Sequence, residues 1–195
     1  MLFPRLRHTL LAAALCGIAL TQLSGCAGVV AAGAGAGLLI TDDRRASSVF
    51  LMDEEIELKA TNLLREKFGT EAHINVTSYN RRILLTGEVP SEALRAQIMD
   101  TLKSVSDIKA VQDELITGKA SSYLARSNDA YLTAKVKTRL FDDSRFSAHH
   151  VKVVSEAGTV FLMGLLKKAE GEAAAEVASR TPGVKKVVKV LETIE

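Results

Sequence analysis

The fold is decided by a stretch that occurs twice, as DEEIELKATNLL at residues 53–64 and as DAYLTAKVKTRL at residues 129–140. Apolar residues recur at every fourth position and match between the two copies: Ile56, Ala60 and Leu64 against Leu132, Val136 and Leu140. This spacing places the matched residues on one face of a helix. We therefore expect each copy to open with an amphipathic helix whose apolar face covers a core.

The duplication continues beyond these helices. Three further pairs of segments keep an offset of 76 or 77 residues: INV at 74 with VKV at 151, ILLTG at 83–87 with VFLMG at 160–164, and IKAV at 108 with VKKV at 184. A shared offset over so many segments indicates an internal repeat. The repeat covers nearly everything after residue 52.

Each copy predicts the order helix, strand, strand, helix, strand. After each first helix, the patterns place strands at 74–79, 83–87 and 108–116 around a helix at 91–103, and strands at 150–154, 159–163 and 184–194 around a helix at 169–179. Such a unit buries its apolar surface by laying both helices on one face of a three-stranded sheet. We expect an α+β protein of two tandem αββαβ domains with mixed sheets. Each domain is small enough for mutual support to be useful.

The N-terminus has the build of a lipoprotein signal. Two arginines precede an uncharged apolar segment that ends in Leu23-Ser24-Gly25-Cys26, which is typical of a secretory signal and resembles a bacterial lipobox. We expect residues 1–25 to be removed and Cys26 to be acylated. A transmembrane helix within Thr9–Ile40 is the alternative, but glycines at several positions disfavour it. By analogy with Gram-negative lipoproteins, Ala27 in place of aspartate points to the outer membrane.

These observations divide the chain into five parts. The predicted parts are a signal peptide at 1–25, a lipidated Gly/Ala-rich tail and linker at 26–52, a first domain at 53–118, a linker at 119–127 and a second domain at 128–195. With Cys16 removed and Cys26 acylated, no disulfide is expected. Loss of Arg5 and Arg7 leaves 23 basic residues against 23 acidic ones, so net charge gives no argument for nucleic acid as a partner.

Catalytic, metal-binding and cofactor-binding motifs are not apparent in the sequence. His149 and His150 are adjacent on a predicted strand and would point to opposite faces, and His73 is an isolated histidine. The stretch Gly33–Gly37 lacks the flanking strand and helix of a phosphate loop. We therefore expect no metal, no cofactor, no small-molecule substrate and no catalytic residue.

The predicted second strand of each copy ends in a glycine, which is Gly87 in the first copy and Gly164 in the second. A glycine at such a position usually marks a bulge or a close backbone approach. We interpret both as structural residues.

The repeated unit resembles the BON domain. The resemblance rests on the periodic first helix, the strands that end at Gly87 and Gly164, and the run Gly183-Val184-Lys185-Lys186-Val187 before the last strand. The first copy departs from it, since Asp107 stands where the second has Gly183. A lipobox followed by two such domains is similar to the dual-BON outer-membrane lipoproteins, the division- and outer-membrane-stress-associated lipid-binding family.

This resemblance implies a non-enzymatic protein on the periplasmic face of the outer membrane. In such a family the second domain binds anionic phospholipid of the phosphatidylglycerol kind, and loss of the protein compromises envelope integrity. The family is also associated with division sites and with the β-barrel assembly machinery, which is a further candidate partner. The family's lipid-contacting face maps here onto Tyr131, Val136 and Phe141.

The first helix of the second copy has a second apolar face. At 100° per residue, a stripe formed by Tyr131, Ala134, Thr138 and Phe141 lies opposite the core positions, with Lys135 and Lys137 along its edges. The first copy retains the core positions but not this stripe, because its matching residues are Glu55, Leu58, Asn62 and Arg65, with Thr61 in place of Lys137. The stripe is therefore not required by the fold.

The residues alone leave two possible binding partners for this stripe. Aromatic and basic residues on one helix face suit the surface of an anionic membrane. The same face would also suit packing on the first domain or on a protein partner, which would make the chain an adaptor of the envelope. The family resemblance favours the lipid.

Overall fold

Both copies fold in the order that the sequence predicts, in a computed structural model that describes residues 43–69 and 71–195. The predicted signal peptide, the predicted lipidation site at Cys26 and most of the predicted tail lie outside the described residues. The first copy contains α1 (Ser47–Phe68), β1 (His73–Tyr79), β2 (Arg82–Val89), α2 (Glu92–Leu102) and β3 (Ala110–Thr117). The second contains α3 (Tyr123–Phe141), β4 (Val151–Glu156), β5 (Thr159–Lys167), α4 (Lys168–Ser179) and β6 (Lys186–Ile194).

The two sheets have the same topology. In each, the second strand is central, pairs antiparallel with the first and pairs parallel with the third. The hairpin brings Ile74 opposite Gly87 in the first sheet and Val151 opposite Gly164 in the second. The predicted α+β class, with two helices and a three-stranded mixed sheet in each copy, is confirmed.

Both first helices begin earlier than the apolar pattern indicates. Helix α1 starts at Ser47, within the segment predicted as tail and linker, and α3 starts at Tyr123, within the predicted linker 119–127. Ser122 caps α3, because its hydroxyl accepts a hydrogen bond from the amide of Ala125 at 3.2 Å. The part of residues 119–127 from Tyr123 onward is therefore helical.

Each domain has its own core between its two helices and one face of its sheet. The predicted positions Ile56, Ala60 and Leu64 are buried against strand residues such as Ile83 and Leu85. The matching residues Leu132, Val136 and Leu140 are buried in the second domain with Val160 and Leu162. The helical spacing found in the sequence therefore marks the core side of both first helices.

The helix-free faces of the two sheets pack on each other. Leu84, whose side chain points away from the first core, joins Tyr79 in a buried cluster with residues of the second domain. The second domain contributes Phe161, Met163 and Val190 to this cluster. The domains therefore support each other through a helix–sheet–sheet–helix arrangement, and their sheet faces are not available to other partners.

A buried aspartate joins the first helix of each copy to its hairpin. Asp129 of α3 accepts hydrogen bonds from the backbone amides of Ala157 at 3.0 Å and Gly158 at 2.9 Å. Asp53 of α1 accepts from the amides of Asn80 at 2.7 Å and Arg81 at 2.6 Å. All four turn residues have positive φ, so the tight turn presents two adjacent amides to one carboxylate. This interaction holds each helix in register with its sheet.

The last strands are reached through equivalent backbone conformations. Asp107 has φ 68° and Gly183 has φ 104°, so the aspartate of the first copy adopts the left-handed region that glycine adopts in the second. The departure of the first copy from the glycine at this position therefore does not alter the backbone path into its last strand.

Gly87 and Gly164 lie where the backbones of paired strands approach closely. A Cβ atom on Gly87 would lie 2.1 Å from the carbonyl oxygen of His73, and one on Gly164 would lie 2.5 Å from that of His150. Gly87 also has φ 118°. Both positions therefore exclude larger residues for structural reasons.

The segment before α1 is attached to both domains. Arg44 donates hydrogen bonds to the carbonyl of Leu165 at 3.0 Å and to the Glu170 carboxylate at 2.8 Å. Arg45 donates to Asp53 at 2.7 Å and lies 4.1 Å from the ring centroid of Tyr79. The two neighbouring arginines thus fasten the segment to the second and the first domain respectively.

Replacing Asp129 by alanine is expected to destabilise the protein by about 2–3 kcal/mol, because two buried turn amides lose a charged acceptor. Urea unfolding of the 42–195 fragment measures the loss. The control is Asn128→Ala, an exposed neighbour on the same helix, which should change the free energy of unfolding by less than about 0.5 kcal/mol. Equal effects of the two variants would contradict the role assigned to Asp129.

The Arg44–Glu170 pair predicts a dependence of stability on pH. Hydrogen bonds from Arg44 lower the pKa of Glu170 from 4.5 to about 2, so the pair stabilises the fold above pH 4.5 and loses this effect as the pH falls towards 2. The difference in unfolding free energy between wild type and Arg44→Ala should therefore shrink over this range. A difference that stays constant from pH 6 to pH 2 would refute the coupling.

Candidate functional site

The stripe predicted on α3 lies on the surface of the second domain. Tyr131 is 68% exposed and Phe141 is 58% exposed, and Ala134 and Thr138 between them are also exposed. The stripe is therefore not the contact between the two domains, which meet through their sheets. Packing of the stripe on the first domain, one of the two alternatives left open by the sequence, does not occur.

The early start of α3 lengthens this apolar surface. Tyr123 and Leu124 are the most exposed large apolar residues of the described chain, at 86% and 72%. Leu124 precedes Tyr131 by two helical turns and lies on the same side of the helix. Neither residue is predicted from the sequence, because the apolar pattern places the helix start too late, although Ser122 is a signal for a cap.

Val136 is excluded from this surface. Its side chain has no exposure and lies in the core of the second domain with Leu132 and Leu140. The lipid contact that the family resemblance implied for Val136 is therefore not available in this structure. The reason is helical geometry, since Val136 is one turn from Leu132 and Leu140 on the core face.

Two cations are held along one edge of the stripe by backbone carbonyls. Lys135 donates from Nζ to the carbonyl of Pro182 at 3.0 Å and lies 5.9 Å from the Tyr131 ring centroid. Arg139 donates to the carbonyl of Arg180 at 3.0 Å. Lys137 is exposed along the other edge. Within the described residues, none of these three side chains has a carboxylate at salt-bridge distance, so their positive charge is not neutralised locally.

The carboxylates near the end of α3 are mostly paired with other arginines. Arg145 bonds to Asp143 at 2.7 Å and to Glu176 at 2.6 Å, and hydrogen bonds from Arg145 lower the pKa of Asp143 to about 2. Arg180 bonds to Glu176 at 2.8 Å. Asp142, the C-cap residue, adds an exposed carboxylate beside the stripe. Pairing of Asp143 and Glu176 leaves the cations of α3 as the dominant charge of this face.

The ring of Phe141 is supported from one side. It meets the ring of His149 edge-to-face, with centroids 5.1 Å apart, in a geometry that aromatic pairs favour. Lys137, Phe141 and His149 line a shallow groove of about 220 Å³. Phe141 is thus oriented while more than half of its surface faces solvent.

The matching face of α1 differs in charge and composition. Lys59, the counterpart of Lys135, pairs with Glu55 at 2.5 Å, and Arg65, the counterpart of Phe141, donates to Asn62 at 2.9 Å. Leu58 is 63% exposed and stands where α3 has Ala134. The two copies therefore share a scaffold, but only α3 combines exposed aromatic rings with unneutralised cations.

The two adjacent histidines lie in different environments. His149 and His150 lie in a short 3₁₀ turn at Ala148–His150, where His149 is exposed and His150 is buried, so they do not share one environment.

Within residues 43–69 and 71–195, none of the helices has the length and hydropathy needed to cross a membrane.

The exposure of the stripe predicts that its residues can be changed without loss of folding. Tyr131→Glu should alter the free energy of unfolding by less than about 0.5 kcal/mol, whereas Val136→Ala on the core face should cost about 1–3 kcal/mol. Urea unfolding monitored by circular dichroism compares the two variants. Destabilisation by Tyr131→Glu as large as that by Val136→Ala would show that the stripe is part of the fold.

Comparison with known proteins identifies relatives along most of the chain. Outer membrane lipoprotein DolP of Haemophilus influenzae is 35% identical over 175 residues, which cover 89% of this chain and 91% of that protein. The similarity confirms the outer-membrane localisation predicted from the sequence. The similarity also agrees with the interpretation of the chain as a non-enzymatic envelope protein.

Two further relatives extend the comparison. The 21 kDa hemolysin of Actinobacillus pleuropneumoniae is 34% identical and covers 78% of this chain and 80% of that protein. Osmotically-inducible protein Y of Escherichia coli is 28% identical and covers 74% of each. The BON domain matches twice, at residues 53–119 and 128–195, which are the two αββαβ units. The chain therefore belongs to the BON domain family.

Proposed function

We propose that this protein binds anionic phospholipid through the outer face of α3 and thereby supports the integrity of the envelope. The proposal rests on one observation: exposed rings at Tyr131 and Phe141 lie beside three cations, Lys135, Lys137 and Arg139, that form no salt bridge within the described residues. Apolar and basic groups on one helix face are what the interfacial zone of a membrane accepts. An enzymatic role has no comparable support.

The charge arrangement favours an anionic surface over a neutral one. Each basic residue close to such a surface contributes about 1 kcal/mol, so the three cations of α3 together contribute roughly 3 kcal/mol. Lys135 and Arg139 are already held in place by carbonyls of the second domain. Little side-chain freedom is therefore lost when they meet phosphate groups, which favours binding.

The apolar part of the surface is long enough to lie along a membrane. Tyr123 and Leu124 stand at one end of α3 and Phe141 at the other, and a helix of 19 residues is about 28 Å long. Tyr131 lies between them. Tyrosine places its ring among acyl chains and its hydroxyl near water, so insertion of the helix would be shallow.

A weak affinity would suffice for a tethered domain. The acyl anchor predicted at Cys26 would hold the second domain close to the membrane, which raises the effective lipid concentration that α3 meets. The anchor would recruit the protein to the membrane, and the proposed binding by α3 would mainly set the orientation of the second domain there.

A protein partner is the alternative occupant of the same face. Aromatic residues and arginine are enriched in protein interfaces, and family resemblance makes the β-barrel assembly machinery the first candidate. The absence of salt bridges to these cations within the described residues favours the lipid, since a protein surface would need matching acidic residues.

Flotation with vesicles tests the proposal on the soluble 42–195 fragment, which contains both cores and the contact between the sheets. Wild type should bind phosphatidylglycerol vesicles but not phosphatidylcholine vesicles, and salt should weaken the binding. Tyr131→Glu should abolish it. The matched control is Leu58→Glu, which places the same charge on the equivalent face of α1 and should leave binding unchanged.

Equal binding by wild type and Tyr131→Glu would refute the role of α3. Equal binding to both vesicle types would refute the preference for anionic lipid. A failure of wild type to bind either vesicle, together with Tyr131-dependent crosslinking to an envelope protein, would establish the adaptor function instead.

A further inference from the structure

A polar cluster occupies the contact between the two sheets, away from α3's outer face. His73 on β1 and Glu88 on β2 are opposite each other in the first hairpin, and His73 Nδ1 lies 3.0 Å from Glu88 Oε2. Glu156, at the end of β4, reaches the cluster from the second domain, where Asn75 of the first domain donates to it at 2.7 Å. The cluster is therefore built by both domains.

The two carboxylates of this cluster are buried. Glu88 is 7% exposed and Glu156 is 4% exposed. Glu88 accepts a hydrogen bond from the amide of Ser121 at 3.0 Å, and Asn75 and Thr86 donate to Glu156. These neutral donors satisfy oxygen atoms but bring no positive charge, so two buried acids face one histidine.

Within the described residues, neither of the two charged side chains nearby forms a salt bridge with the cluster. Arg126 and Asp129 line the same cavity as His73 and Glu156. The guanidinium of Arg126 donates twice to Ser121, at 3.0 and 3.2 Å, and lies 5.4 Å from the Tyr123 ring centroid. The carboxylate of Asp129 receives the two turn amides. An uncompensated buried carboxylate is costly, which gives the cluster a physical reason to take up a cation.

The site could accommodate a metal ion with modest movement. One ligand atom from each of His73, Glu88 and Glu156 lies within 4.8 Å of the others. Ligands at 2.0–2.2 Å from a shared zinc ion stand about 3–4 Å apart, so the side chains need to approach by roughly 1 Å. A cavity of about 360 Å³ lined by His73, Asn75 and Glu156 gives access from solvent.

We propose that His73, Glu88 and Glu156 bind a divalent transition-metal ion of the zinc class between the two domains. One imidazole nitrogen with two carboxylates suits zinc better than magnesium or calcium, which prefer oxygen ligands alone. Three protein ligands leave a position for water, which the cavity can supply.

Such an ion would fasten the two sheets together. Two ligands belong to the first hairpin and one to the second, so separation of the domains would break the coordination. Glu156 directly precedes the turn whose amides are bound by Asp129 of α3. The ion would therefore also steady the base of α3. It would raise the midpoint of thermal unfolding by an amount that grows with the logarithm of its concentration relative to its dissociation constant.

Calorimetric titration of the untagged mature chain in detergent tests this site with ZnCl₂, after removal of metals by EDTA. Wild type should bind one Zn²⁺ and melt at a higher temperature with Zn²⁺ than with Mg²⁺. Glu156→Gln and His73→Gln, one from each domain, should each weaken Zn²⁺ binding by at least about 10- to 100-fold and lose the rise in melting temperature. The matched control is His149→Gln, an exposed histidine outside the cluster, which should bind as wild type does.

Circular dichroism without metal shows whether the variants fold. Unchanged Zn²⁺ binding in Glu156→Gln or His73→Gln would overturn the proposal, as would a wild type whose melting temperature does not respond to Zn²⁺. If one variant fails to fold, the other still decides, because each removes a different ligand.

Discussion

The carboxylate of Asp129 and its equivalent, Asp53, determine how the first helix of each domain sits on its sheet. Each carboxylate binds two amides of a tight turn, which holds the helix in both position and rotation. Leu132, Val136 and Leu140 follow Asp129 by about one, two and three turns, and so share its inward face. Once this aspartate points inward, Tyr131 and Phe141 must point outward. The exposed stripe is therefore a consequence of the same contact that secures the fold.

The contact between the sheets determines which surfaces remain for partners. A three-stranded sheet with helices on one face has a second face to bury, and here each domain covers the other's. The outer faces of the helices α1 to α4 then remain open to partners. Because duplication supplied two equivalent first helices, one could keep a polar face with paired charges while the other accumulated aromatic rings and unpaired cations. The fold tolerates this divergence, since neither outer face contributes to a core.

Local periodicity was sufficient to predict the order of elements, the core positions of the helices and the stripe on α3. Continuous apolar runs such as residues 83–85 and 160–163 are typical of strands buried on both faces, but nothing local shows that the covering surface is the other copy. The role of Asp129 was also not predicted, because an aspartate near a helix start ordinarily suggests a cap. His73 appeared isolated, since Glu88 and Glu156 join it only through strand pairing and the meeting of two domains.

The position of the N-terminal segment bears on how an anchored protein would present α3. Arg44 is held beside Glu170 in the first turn of α4, whereas Lys135 and Arg139 contact the carbonyls that follow the other end of that helix. A helix of 12 residues is about 18 Å long. The roughly 18 residues from Cys26 to Arg44 can extend up to about 60 Å, which greatly exceeds this separation. If Cys26 carries the proposed acyl anchor, the length of the intervening chain alone therefore allows the stripe on α3 to meet the same membrane surface.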